Sequence, residues 1–176
     1  GFAYSCKKLN VKGVVFMPVI TPNQKINQTK MFGEDFIEVR LAGDTFDDCA
    51  VAAKKYTKEN GMTFIPPFDD YKIIEGQGTV GLEILEELSD VDMLFIPVGG
   101  GGLSAGVGTY FKTYSPKTKI IGLEPEGAPS MFEALKAGHP VTLEDIDRFV
   151  DGAAVKRVGD ITFSICKDVI DDMHLV

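Results

Sequence analysis

The sequence predicts an α/β fold built on parallel sheets, and three observations carry that reading. Apolar runs of strand length alternate with segments of helical period along the chain. One such pair, "FIPVGGGGLSAG" at Phe95–Gly106, is joined by a turn of four consecutive glycines. The composition, 44% hydrophobic and 25% charged over 176 residues, is that of an ordinary globular chain.

The elements follow in order. Phe2 to Asn10 reads as a helix with Phe2, Cys6 and Leu9 on one face, and "VKGVVFMPV" as a strand run. "TPNQ", Thr21–Gln24, reads as a capping box with Pro22 at the first helical position of a helix ending near Gly33. "DFIEVRL" alternates like a strand. "TFDD", Thr45–Asp48, reads as a second capping box, opening a helix that carries Phe46, Cys49, Ala50, Ala53 and Tyr56 and that Gly61 stops.

"MTFIPPFDD" reads as a short strand and then Pro66-Pro67, which hold the chain extended and mark a crossing between subdomains, 1–66 and 67–176. A helix ending near Leu88 and the strand "DMLFIPV" come next. Beyond the glycine turn lie a helix over Leu103–Tyr114 and the strand "TKIIGLEP". Pro129 opens a short helix that Gly138 closes, and "TLED" caps a brief turn. "FVDGAAV" reads as a strand, Asp160–Asp172 as a helix, and "MHLV" as the start of another strand. The start at Gly1 within a helical pattern, and the stop within a strand, lead us to expect a fragment with both subdomains incomplete.

The net charge of −8 argues against nucleic acid and anionic membrane as partners. Met93–Phe111 carries no charge, but Pro97 and its glycines make it a strand and a helix rather than a membrane span. Cys6, Cys49 and Cys166 have no paired spacing and read as buried reduced thiols of a cytoplasmic protein. His139 and His174 have no partner at ligand spacing and read as structural or surface residues.

Four glycines in a row are costly to order and need a reason. A strand-to-helix turn leaves free N–H groups at the helix N-terminus, where they bind anions. Glycines permit the nest conformation and keep Cβ atoms off the approach path. The guest that suits such a loop is a phosphate. No Lys follows in the pattern of a nucleoside-triphosphate loop. Two alternatives stay open from the residues alone. Gly100, Gly102 and Ala105 satisfy G-x-G-x-x-A, with Glu124 placed as a ribose-binding acid, which suits a nicotinamide-dependent oxidoreductase. The loop can also be a tight turn without ligand.

"PVGGGGLSAG" closely resembles the phosphate loop of threonine and serine dehydratases, pyridoxal-phosphate enzymes of the tryptophan-synthase-β fold type (fold type II). "GFAYSCKKL", "PPFDD", "EGQGTVGLEILEEL", "AGHPV" and "DGAAVKRVGDITF" extend the resemblance, in order and spacing, over nearly the whole chain. The family it implies is threonine dehydratase. The implied architecture is three-layer αβα with parallel sheets.

The resemblance implies that Gly99, Gly100, Gly101, Gly102 and Leu103 hold the pyridoxal 5'-phosphate phosphate through backbone amides, and that Gly152 passes close to the pyridine ring. It implies β-elimination of water from L-threonine, giving 2-oxobutanoate and ammonia. A serine dehydratase or racemase-like enzyme, with L-serine as substrate, is the alternative within the group. The full-length enzyme is implied to be a homo-oligomer.

Some relatives bind a cation at positions matching Glu124, the carbonyl of Ala128, and Ser130. Ser130 departs from their acid, so no metal is expected, and Glu124 reads as a solvated strand-end carboxylate. The cofactor lysine and the loop that grips the substrate carboxylate are implied to lie upstream. No catalytic residue is therefore assigned within the chain, and the isolated chain is expected to be inactive.

Overall fold

The structure is a computed structural model that describes residues 1–44 and 46–176, with the side chains of all of these except residues 46 and 47. The chain divides into two compact units, Gly1–Ile65 and Pro66–Val176.

In the first unit, β1 (Gly13–Met17) pairs in parallel with β2 (Ile37–Leu41), Gly13 opposite Ile37 and Met17 opposite Leu41. The crossover between them runs through α2 (Asn23–Gly33) and a short 3-10 turn, Glu34–Phe36. Helices α1 (Phe2–Lys8) and α3 (Phe46–Glu59) complete the unit, with Ala3, Cys6 and Cys49 buried. Leu9, expected on the apolar face of α1, is instead 70% exposed beyond the helix end. The expected Thr21 cap is also corrected. Pro22 is the N-cap of α2, and it makes no side-chain cap hydrogen bond. The capping box at Thr45 lies outside the described residues.

In the second unit, α4 (Tyr71–Glu87) precedes β3 (Met93–Pro97), α5 (Gly102–Tyr114), β4 (Lys119–Glu124), α6 (Ser130–Ala137), α7 (Asp160–Val169) and β5 (Asp172–Leu175). The strands form a parallel sheet in the order β3-β4-β5. One sheet face carries Ile96 and Ile120, which pack with Val107 and Phe111 of α5. The alternate positions, Met93, Phe95, Lys119, Ile121, Asp172 and His174, line an open groove on the opposite face.

Small residues let α4 and α5 approach at backbone distance. A Cβ built on Gly106 would lie 2.3 Å from the Ile74 carbonyl oxygen and 2.6 Å from the Gly78 nitrogen. Gly138 ends α6 in the left-handed region with φ of 78°.

Three expected elements differ. Residues 62–65 form no strand, and 149–153 is a series of turns and bends in which the Ala153 N–H donates to the Val150 carbonyl. Neither segment joins a sheet among the described residues, and apolar composition alone makes no ladder. Helix α7 stops at Val169 rather than Asp172, because the Asp171 carboxylate accepts from the Ile120 N–H (2.7 Å) and Lys112 (2.6 Å). Those bonds turn the chain into β5.

Candidate functional site

The glycine turn links Pro97 of β3 to Gly102 of α5. Gly101 is the N-cap, with φ of +90°, a conformation open to glycine and costly to other residues. The Val98 N–H is spent on the Leu123 carbonyl, and the Ala105 N–H closes the first helical turn on the Gly101 carbonyl. Between them, the amides of Gly99 through Ser104 meet no acceptor among the described residues. Six successive free donors at a helix N-terminus make a cradle whose chemistry suits an anion. Charge-assisted hydrogen bonds contribute about 1.5–3 kcal/mol each, against about 0.3–1 kcal/mol for the helix dipole, so the amides dominate. Ser104, in the same turn, holds the one buried side-chain polar atom without a partner among the described residues.

The back of the loop is tightly packed. A Cβ on Gly99 would lie 3.0 Å from Ala153 Cα, and one on Gly100 would lie 2.3 Å from the Phe68 ring. One on Gly101 would meet Met131 Cε at 2.7 Å and Thr162 Cβ at 3.0 Å, and one on Gly102 the Phe68 Cβ at 3.0 Å. A Cβ on Gly100 or Gly101 would therefore clash outright, while at Gly99 and Gly102 the neighbouring atoms would have to give by a few tenths of an ångström. Gly152 lies one residue from Ala153 but is exposed, and its Cβ position is open space.

Two aspartates that the sequence reading passed over support this arrangement. Asp70 caps its own helix, accepting from the Lys72 N–H (2.8 Å) and the Ile73 N–H (3.4 Å). Asp69 caps α7, far along the chain, accepting from the N–H groups of Asp160 (3.1 Å), Ile161 (2.9 Å) and Thr162 (3.1 Å). From that anchored turn the fully buried Thr162 hydroxyl donates to the Gly100 carbonyl at 2.6 Å. The Asp-Asp pair resembles an N-cap signal, which could have found Asp70. Nothing local in the sequence links Asp69 to α7, which begins 91 residues further on.

Glu124 is a correction. It is not solvated at a strand end but fully buried. Its carboxylate accepts from the Met131 N–H (2.8 Å), the Phe132 N–H (2.8 Å) and the Ser130 hydroxyl (3.3 Å). It caps α6, whose N-cap residue Pro129 has no side chain able to do so. Ser130 in turn gives its N–H to the Ala128 carbonyl. Burial pushes the Glu124 carboxyl up to about 7, while hydrogen bonding from Met131, Phe132 and Ser130 pulls the other way.

Between an unfolded value near 4.5 and about 7, the folded state binds more protons. Stability therefore falls as pH rises through that window and levels off above it, by at most about 3 kcal/mol. Denaturant unfolding from pH 5 to 8 should show this slope, and Glu124→Gln should flatten it. Equal slopes in the two proteins would reject the assignment.

His139 is exposed, and His174 is paired at 3.2 Å with Asp172 on the surface. The three cysteines are free and buried. No helix among the described residues is long and apolar enough to cross a membrane.

The profile of the family described as "Pyridoxal-phosphate dependent enzyme" matches residues 1–176. The chain belongs to the pyridoxal-phosphate dependent enzymes. Pyridoxal phosphate is the cofactor of that family, and its phosphate is an anion of the kind the amide cradle fits. The biosynthetic L-threonine dehydratase IlvA of Halalkalibacterium halodurans is 56% identical over 177 residues, covering 100% of this chain and 43% of that protein. The same-named protein of Staphylococcus saprophyticus is 58% identical, covering 98% of this chain and 42% of its own length. The chain thus spans less than half the length of these curated relatives.

Among solved structures, the processed form of threonine deaminase isoform 2 from Solanum lycopersicum superposes with a TM-score of 0.91 at 48% identity. That match covers 99% of this chain and 50% of that one. Maize serine racemase gives a TM-score of 0.91 at 29% identity, with 99% and 52% covered.

Proposed function

We propose that this chain forms the phosphate-binding part of a threonine dehydratase, which eliminates water across Cα and Cβ of L-threonine and releases 2-oxobutanoate and ammonia. The observation that carries the reading is the run of unsatisfied amides from Gly99 to Ser104 at the start of α5. The names of the relatives at 56% and 58% identity support threonine as substrate. When bound, pyridoxal phosphate supplies the electron-accepting ring that makes bond breaking at an amino acid's α-carbon feasible.

This chain's own contribution is to bind and orient. The amides of Gly99, Gly100, Gly101, Gly102 and Leu103 donate to phosphate oxygens, and the left-handed Gly101 turns the loop so that they converge. Gly152, beside Ala153, borders the ring. Holding the phosphate fixes the distance between the ring and whatever side chains the rest of the protein presents, which is a proximity contribution. The protein is further proposed to be a cytoplasmic homo-oligomer; three buried, unpaired thiols support a reducing compartment.

The test is amide-resolved NMR of the protein carrying this chain, titrated with inorganic phosphate and with pyridoxal phosphate. The amides of Gly99–Leu103 should shift with both ligands, and pyridoxal without its phosphate should leave them in place. Shifts confined to other residues would remove the assignment. Ammonia release from L-threonine, compared with L-serine, tests the substrate.

A further inference from the structure

The cradle's orientation is not set by the glycine turn alone. Every peptide bond in the described chain is trans, so the carbonyl of one residue and the N–H of the next point in opposite directions. Whatever pulls the Gly100 carbonyl to one side therefore aims the Gly101 N–H to the other. The Gly100 carbonyl is pulled by the Thr162 hydroxyl at 2.6 Å, with the Gly159 N–H only at 3.5 Å. The next peptide is fixed in the same sense, because the Gly101 carbonyl accepts from the Ala105 N–H at 2.8 Å and faces the Cys166 thiol at 3.5 Å.

Thr162 is itself immobilised. It has no exposed surface, its N–H is held by Asp69 at 3.1 Å, and Gly159 leaves no room for a side chain, since a Cβ there would lie 2.2 Å from Asp69 Oδ1. The alternative acceptor for its hydroxyl, the Gly159 carbonyl, is longer at 3.2 Å.

We propose that Thr162 is a positioning residue for the phosphate: its hydroxyl, anchored through the Asp69 cap on α7, holds the Gly100–Gly101 peptide plane so that the Gly101 amide faces the anion. This rests on the reading of Gly99–Leu103 as the phosphate cradle. Thr162 does not touch the phosphate. It acts through the loop, so its loss weakens recognition of the phosphate and not of the ring.

The experiment measures equilibrium affinity for pyridoxal phosphate and for pyridoxal in the protein carrying this chain, with variants at one position. Thr162→Val keeps the shape and removes the hydroxyl. It should bind pyridoxal phosphate about tenfold more weakly, leave pyridoxal unchanged, and move the phosphorus NMR shift of the bound phosphate. Thr162→Ser keeps the hydroxyl and should match the parent in affinity, whatever its stability. If the valine variant does not fold, Thr162→Ala against Thr162→Ser, which share the same lost methyl, decides the matter.

A purely structural role predicts that affinity follows stability in all variants, or that pyridoxal weakens equally. Either result overturns the proposal. If phosphate shifts the loop amides as expected but the valine variant keeps full affinity, Thr162 alone loses its role. If the parent protein does not distinguish pyridoxal phosphate from pyridoxal, the cradle reading fails and takes this proposal with it.

Discussion

Replacing Gly101 by aspartate is expected to lower the stability of the Pro66–Val176 unit by about 2–4 kcal/mol and to weaken pyridoxal phosphate binding tenfold or more, about 1.4 kcal/mol. Two effects add in stability. The φ of +90° strains any residue with a Cβ. The new Cβ also enters space held by Met131 at 2.7 Å and Thr162 at 3.0 Å. Met131 presents a flexible end and can yield, but Thr162 is held by Asp69 and cannot move without releasing the cap on α7. The carboxylate then adds a negative charge beside the proposed anion site. Gly101→Ala carries the strain and the crowding without the charge. Equilibrium unfolding should therefore place the two variants close together, and cofactor titration should separate them. A folded Gly101→Asp protein with parental affinity would remove Gly101 from the site.

Gly106→Ala and Gly76→Ala are expected to change stability in opposite directions. Both exchanges put alanine into a helix interior, where it is favoured over glycine by about 1 kcal/mol. At Gly76, on α4, a Cβ meets nothing within 4 Å, so the propensity gain should appear as stabilisation of about 0.5–1 kcal/mol. At Gly106, the Cβ would lie 2.3 Å from the Ile74 carbonyl oxygen. That contact is backbone on backbone, and no rotamer relieves it. Helices α4 and α5 must separate, which loosens the packing of Ile74, Ala105 and Phe111, buried at 5%, 0% and 0% exposure. Overpacking of this kind costs about 1–3 kcal/mol and outweighs the propensity term. Thermal unfolding of the two variants side by side checks the sign. Stabilisation by both would mean that α4 and α5 do not meet at Gly106.

The parallel α/β class was legible in the sequence because it is written in local periodicity. Helices α4 and α5, strands β3 and β4, and the Gly138 stop of α6 all follow from apolar spacing and turn chemistry within a few residues. The glycine loop was legible for the same reason: its free amides follow from a strand, a turn and a helix in sequence. Cofactor class was carried by motif text rather than by physics of single residues.

What the sequence could not carry was everything decided by residues distant along the chain. Asp69 caps a helix that begins at Asp160, and Glu124 becomes a buried cap because α6 turns back onto the end of β4. The segment 149–155 reads as a strand and is not one, since ladder formation depends on a partner that no local pattern specifies. The glycines show the division most clearly. The sequence alone explained them by a guest approaching from the front. The tertiary structure adds Phe68, Ala153, Met131 and Thr162 pressing from behind. Hydrogen-bond partners and steric limits belong to neighbours in space, and only folding brings those neighbours together.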